Sequence, residues 1–289
     1  MLSLLIYGLI QSVILVLYAY GFSLVYGISG IANFAHGGIY ILGGFMTWCF
    51  MNALGLPYFL SAIFSVILMG LLGFGLYWGL LLRIRGIVLS EVVVTFVAGI
   101  AILEILAWKG LYGFYYNLPV FVKGGISLGD VAIDYQRLFA LGSGIALAGL
   151  LWAFVHHTRM GLSFRGIAQD ERTALSLGIE SDWVGALSLA IGSSLAAVAA
   201  ILVLPLGVLE ANIGYDVLIY AVTVAIVGGL ESGFGMIAAS LIIGFGQIAV
   251  ARYIGSSWMI IVPLGAIVLI LAIRPSGLFG SFKELEERI

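Results

Sequence analysis

Charge is what this sequence lacks most. Only 9% of its 289 residues are Asp, Glu, Lys or Arg, against roughly 25% in a soluble domain. No charged side chain precedes Arg83, so the first apolar stretch has no basic flank of the kind that opens a secretory signal. That stretch runs from Leu4 to about Ile28, too long for a signal core, and reads as a retained membrane span. Cysteine occurs once, as Cys49, which excludes a disulfide framework and a thiolate metal set. Lysine is confined to Lys109, Lys123 and Lys283. None of them stands in GxxxxGK[ST], so the chain has no P-loop for ATP. The net charge is −2 without a basic cluster, which gives no footing for nucleic acid. His156 and His157 are adjacent, not four apart on one helix face as in a metal pair. No Ser/His/Asp or metal constellation marks an enzyme.

What is there is apolar: 63% of the residues, with mean hydropathy +1.20. The fold class this predicts is an all-α polytopic integral membrane protein, a single transmembrane domain over residues 1–289. At about 20 residues per span, about 8–10 transmembrane helices fit. Beyond the first, runs at Tyr58–Leu82, Val88–Trp108, Leu138–Val155, Val184–Val208, Leu218–Leu230, Met236–Val250 and Trp258–Ile273 read as spans or parts of spans. Gly75 and Gly79 form a GxxxG pair suited to close helix contact, within this chain or with another subunit. Glu91 and Glu104 lie near the ends of their span, where Arg83 and Arg85 are placed to pair with Glu91; an intramembrane acid is otherwise a candidate proton relay. Leu111–Arg137 reads as an external loop whose aromatic start (Tyr112, Phe114, Tyr115, Tyr116) suits a membrane interface.

Two stretches are broken by glycine, Gly27–Gly44 and Val227–Gly244. Glycine costs a helix interior about 1 kcal/mol relative to alanine. Unwound backbone at membrane depth survives only inside protein or beside a wet cavity. Each break is therefore either a tight turn or a broken helix lining a pathway. Asn33, Phe34, His36, Gly37 and Gly38 are the pathway candidates in the first; Gly228, Gly229 and Glu231 are those in the second. Their likeness suggests a possible internal repeat.

One long stretch, Arg159–Asp182, is polar and still helical in pattern. It lies between two apolar runs and so sits in water on one face of the bilayer. Ser163 is a candidate N-cap, Gly178 a candidate left-handed C′ residue, and Ser181 and Asp182 candidate caps of the next helix. Phe164, Ile167, Ala168, Ala174 and Leu175 share an apolar side at helical spacing. The segment is either a solvated connector or a lever that touches a soluble partner with that side. With nine spans, Arg83, Arg85, Arg159, Arg165, Arg172, Arg274, Lys283 and Arg288 are cytoplasmic, while Lys109, Lys123, Arg137 and Arg252 are not. By the positive-inside rule the N-terminus is then outside and the tail 274–289 is cytoplasmic.

Three motifs in this order, YGISGIANFAHGGIYILGG, RMGLSFRGIAQDERTALSLGI, and VGGLESGFG followed by RPSGLFG, resemble the permease subunits of branched-chain amino-acid ATP-binding cassette (ABC) importers. The likeness is to the member of the permease pair with NFAHG near its start, and it covers nearly the whole chain. Gly166 stands where the family usually has Ala, Glu231 where it has Gly, and Ala238, Ala239 and Ser240 replace part of a glycine run. The resemblance implies a bacterial inner-membrane protein and these partners: a second homologous permease subunit, two ABC ATPase subunits, an extracytoplasmic substrate-binding protein and a small-molecule substrate. It implies no cofactor on this chain, with ATP and Mg on the ATPases. Arg159, Gly161, Arg165, Ala174 and Gly178 match the loop that docks into the ATPase; Ile167, Ala168 and Leu175 join them from the apolar pattern. Related permeases serve amino acids, amides, urea and other small solutes, so the substrate is a branched-chain or hydrophobic amino acid or a related small polar solute. From the residues alone, an ion-coupled secondary transporter and a passive channel stay open beside the importer.

Overall fold

The computed structural model describes residues 1–111, 116–128, 131–230 and 232–280. Glu231, the tail from Ser281 with Lys283 and Arg288, the aromatic residues Tyr112, Phe114 and Tyr115, and Asp130 lie outside the described residues.

The chain is a helical bundle: α1 (Leu2–Ser29), α2 (His36–Ala53), α3 (Tyr58–Gly79), α4 (Val88–Trp108), α5 (Tyr135–His157), α6 (Arg159–Gln169), α7 (Glu171–Ser176), α8 (Ser181–Val203), α9 (Ile213–Gly228), α10 (Gly233–Tyr253) and α11 (Ile261–Ile273). A two-stranded antiparallel hairpin, β1 (Gly125–Leu128) and β2 (Val131–Asp134), precedes α5. The hairpin stands where the sequence reads as a loop. Val131 and Ile133 are buried on one face of it, the alternation expected of a half-covered strand.

Seven of the described helices, α1, α3, α4, α5, α8, α10 and α11 with their flanking 3-10 turns, are long and apolar enough to cross a membrane. The other two apolar helices fall short for physical reasons. α9 has 16 residues, about 24 Å of helix against a hydrocarbon core of about 30 Å. α2 opens with His36, Gly37 and Gly38. Its first residue does not wait for the end of the preceding helix: the His36 ring Nε2 lies 2.8 Å from the Tyr18 carbonyl oxygen, roughly 16 Å of helix before the last residue of α1. Residues 30–35 therefore run back into the bundle, and the first glycine break is a broken helix rather than a tight turn.

The helix contacts follow a repeated pattern, but it does not pair the two hairpins read from the sequence. It relates α1–α4 to α8–α11. The most extensive contacts in the bundle are α3 on α8 and, as their counterpart, α10 on α1. In each, a glycine meets a serine: a Cβ on Gly73 would stand 2.3 Å from Ser193 Oγ, and one on Gly244 would stand 2.4 Å from Ser12 Oγ. Likewise α2 lies on α8 and α9 on α1, α2 on α3 and α9 on α10, α2 on α4 and α9 on α11. Because α1 and α8 run in opposite directions, the halves are inverted. In lipid, apolar helices gain little from hiding oil from oil, so such pairs are held by close backbone approach, which small residues permit. Gly75 and Gly79 make no such approach, with open space where a Cβ would go; the contact within this chain falls on Gly70 and Gly73 instead.

The ends of the bundle sort the charges. Arg85 pairs with Glu171 and Asp182, putting the α3–α4 turn beside α7 and the start of α8. The backbone N–H groups of Leu278 and Phe279 donate to Val227 and Gly228 at 2.8 and 3.1 Å, which brings the segment after α11 to the end of α9. At the opposite end Arg252 donates to Ser3 and the Arg137 guanidinium lies over the Tyr7 ring at 5.3 Å. Arg85 thus lies at one end of the bundle and Arg137 and Arg252 at the other.

Candidate functional site

The polar segment is two helices, not one. Thr158 rather than Ser163 caps the first: its Oγ1 accepts from the Gly161 N–H at 2.9 Å. Ser163 is inside α6, donating to the Arg159 carbonyl at 3.3 Å. Asp170 ends α6 in extended backbone and caps α7, accepting from Thr173 N–H at 3.2 Å and from its hydroxyl. Those bonds hold the Asp170 carboxyl below the usual carboxylate range. α7 ends in a Schellman motif: Ile179 N–H donates to Ala174 O at 3.1 Å and Gly178 N–H to Leu175 O at 3.0 Å. Gly178 has φ +83°, the left-handed value expected of it. Ser181 and Asp182 do not cap α8, whose N-cap is Glu180. They are used by a neighbour instead.

That neighbour is Arg85. It donates to Asp182, Glu171 and Ser181, while Ser181 donates to Glu171. The Tyr77 hydroxyl adds a 3.3 Å bond to Asp182. One guanidinium thus joins the α3–α4 turn, α7 and the start of α8. A planar fork with five donors suits such a three-way junction, and lysine does not reproduce it. The pairing of Arg83 and Arg85 with Glu91 expected from the sequence is not formed by Arg85; Glu91 is buried and accepts from the Gly86 N–H at 2.8 Å.

The apolar side of the segment is turned inward, against the expectation that it faces a partner. Phe164, Ile167 and Ala174 are buried with Val184, against Phe154 and Ile28. Gly161 is held so close to α5 that a Cβ would stand 2.3 Å from the Phe154 oxygen. Arg165 and Ala168 are half-buried and Arg159 is exposed. What faces outward is a different set: Leu162, Leu175 and Leu177, the last 77% exposed. Of the residues named from the apolar pattern, only Leu175 stands free on the surface. The reason is the corner at Asp170, which rotates α7 relative to α6, so one helical wheel cannot describe both.

The glycine breaks also resolve into packing. At the start of α2, a Cβ on Gly37 would stand 2.0 Å from the Gly214 oxygen at the start of α9, and one on Gly38 would stand 2.8 Å from the Gly99 oxygen on α4. Asn33 is buried, with Oδ1 accepting from Ala35 N–H at 3.1 Å; Phe34 sits edge-on to Phe22 and Phe96. His36 is fully buried. Gly228 meets Gly235, and Gly229 meets Gly280, again at backbone contact. The spaces beside Asn33, Phe34, Gly37 and Gly38 hold only about 10 Å³ each. Gly37 thus marks the crossing where the two inverted halves meet, while Gly38, Gly228 and Gly229 make their backbone contacts within their own halves.

The structure thus holds a pair of short helices meeting at glycines and, at one end, a capped and latched polar segment. The family described as "Branched-chain amino acid transport system / permease component" matches residues 4–272. The chain belongs to that family.

This permease is 28% identical over 290 residues to the high-affinity branched-chain amino acid transport system permease protein BraD of Pseudomonas aeruginosa, spanning 91% of each chain. It is 26% identical to the corresponding LivH proteins of Salmonella typhimurium and Escherichia coli, over 91% of this chain and 90% of theirs. Among solved structures, PsaBC from Streptococcus pneumoniae in complex with Fab aligns with a TM-score of 0.52 at 17% identity, over 96% of this chain and 94% of that one. That likeness concerns the fold. The permease is a multi-pass membrane protein that works as the transport subunit of a larger transporter complex.

Proposed function

We propose that this permease serves an ATP-driven importer for branched-chain or other hydrophobic amino acids, or a related small polar solute. A second homologous permease subunit completes the pathway, two ABC ATPases bind ATP and Mg at the cytoplasmic face, and an extracytoplasmic binding protein delivers the substrate. The N-terminus is then outside and residues 274–289 are cytoplasmic. The observation that carries the reading is the α6–α7 segment: it is capped at both ends, fastened to the bundle, and yet leaves Leu162, Leu175 and Leu177 bare. A chain without a P-loop takes its energy from a partner, and an apolar knob on a stiff cytoplasmic helix is where a partner gains most. An ion-coupled transporter or a channel has no use for that knob.

Leu177→Ser is expected to weaken ATPase binding about thirtyfold, the equivalent of about 2 kcal/mol at an interface anchor, with the melting temperature of the purified permease unchanged. Ala174→Glu is expected to lower that melting temperature, because it forces a carboxylate under α7. Pull-down of the ATPases and thermal unfolding in detergent separate the two. Unchanged ATPase capture by Leu177→Ser would remove the docking role from this surface.

The orientation has its own check. Cysteine placed at Ser3 in a Cys49→Ser background should react with a membrane-impermeant thiol reagent from outside intact cells, and cysteine at Ser176 only after lysis. Reaction of both from one side would overturn the nine-span topology.

A further inference from the structure

At the end of the bundle opposite α6 and α7, a cavity of about 270 Å³ opens between α1, α2, α10 and the α8–α9 connection. That is just below the roughly 300–1,000 Å³ usual for ligand pockets, room for one small solute. Its walls are mixed in an ordered way. The deep part carries three tyrosines from three helices: Tyr18 is edge-on to Tyr40 at 5.5 Å and parallel to Tyr220 at 6.2 Å. The middle carries Gln11, whose Nε2 donates to Gln247 Oε1 at 2.9 Å. The mouth carries Arg137, the one charged side chain of the lining. Among the described residues its ion pair is with Asp134, made through Nε at 3.4 Å, and the terminal nitrogens of the guanidinium fork are turned to no other described acid. Between these, Ile14, Ile213 and Ile248 supply apolar wall.

The arrangement has a reason in the fold. Tyr18 and Tyr40 flank the point where residues 30–35 re-enter, and Tyr220 lies six residues into α9 from the Gly37–Gly214 crossing. The cavity therefore leads from the outer rim down to the junction of the two inverted halves. A group bound there touches both halves at once, through Tyr18 and Tyr40 on one side and Tyr220 on the other.

We propose that this cavity is a binding vestibule of the permease for a single amino acid with an apolar side chain. The carboxylate is taken by the Arg137 fork, which matches it in two parallel hydrogen bonds. The ammonium, carried on the same carbon as the carboxylate, stays beside it near the mouth, on the Gln11 side of the cavity. The side chain rests on the isoleucine wall. The inference rests on the function proposed above and adds to it a site inside this subunit, apart from the binding protein.

The test uses the whole importer in vesicles, with Cys49→Ser and a single cysteine at Ile248, and leucine as the probe. A small methanethiosulfonate reagent added from outside should label Ile248→Cys, and saturating leucine should slow labelling at least fivefold. Arg137→Gln should abolish that protection and Arg137→Lys should keep part of it. Leucine uptake is measured on the same vesicles. Uptake with no protection, or no labelling even without leucine, would overturn the vestibule while leaving the importer reading intact. Protection without uptake would keep the site and sink the proposed transport of this substrate. Neither uptake nor protection would overturn both.

Discussion

Gly37→Ala is expected to prevent recovery of folded permease, or to lower its melting temperature far below that of a methyl added at an open helix position. The added Cβ would stand 2.0 Å from the Gly214 oxygen, and the reverse change, Gly214→Ala, would put one 2.7 Å from the Leu103 side chain and 3.0 Å from the Gly37 oxygen. Overpacking a side chain usually costs about 1–3 kcal/mol because neighbours swing aside. Here the neighbour is backbone at the first turn of another helix, and relief requires α2 and α9 to separate. Gly75→Ala and Gly79→Ala are the controls, since nothing lies within 4 Å of either new Cβ; as exposed helix positions they should gain slightly in stability. Thermal unfolding of the four purified variants decides the matter. Equal melting temperatures for Gly37→Ala and Gly75→Ala would mean that the crossing is not closed in the native protein.

Arg85→Ala is expected to cut transport by an order of magnitude or more while ATPase binding stays near normal. Without its guanidinium, α7 loses its tie to the α3–α4 turn, and Glu171, Ser181 and Asp182 are left to one another. Two carboxylates then share a site that one cation had neutralised, and their repulsion pushes α7 away from α8. The docking surface of Leu175 and Leu177 is untouched, so the partner still binds, but its motion reaches the bundle through α6, the Ala174–Val184 packing and the covalent connection to α8, without the tie to the α3–α4 turn. Glu171 and Asp182 are about half exposed, so the effect on stability alone is small and the loss should appear in transport per ATP hydrolysed. Measuring hydrolysis and uptake on the same vesicles separates these. Arg85→Lys should recover only part of the coupling, because an ammonium cannot reach three acceptors in one plane. Full coupling in Arg85→Ala would show that the junction is ornamental.

How much of this was legible beforehand depends on whether a signal was local. The spans were visible because membrane crossing demands an apolar run of a set length in one stretch of chain. Gly178 was visible because a left-handed C′ residue needs only its own φ. Thr158 was not chosen as the cap because Ser163, also a hydroxyl residue, starts the segment's apolar pattern equally well; only the path of the backbone out of α5 decides between them. The hairpin at 125–134 was hidden by its brevity, although Ile126, Val131 and Ile133 alternate. The apolar face of Arg159–Asp182 was read correctly as apolar and assigned to the wrong side. A helical wheel reports that Ile167 and Ala174 must be covered, and either the bundle or a partner would satisfy it.

The sequence by itself determined that this chain lives in a membrane and that a polar, helix-forming segment separates two of its apolar runs. It also carried, in three motifs, the family to which the chain belongs. Each of these follows from composition or from residues close in the chain. Only the tertiary structure decided that the repeat pairs α1–α4 with α8–α11, that Gly37 meets Gly214 across 177 residues of sequence, that Arg85 holds α7 and α8 together, and that three tyrosines from α1, α2 and α9 share one cavity. Glycine permits close approach but does not name its partner, and a charge seeks an opposite charge without specifying which. Those choices are made by how the helices cross, and in lipid the crossing is set by steric fit along whole helices rather than by any residue taken alone.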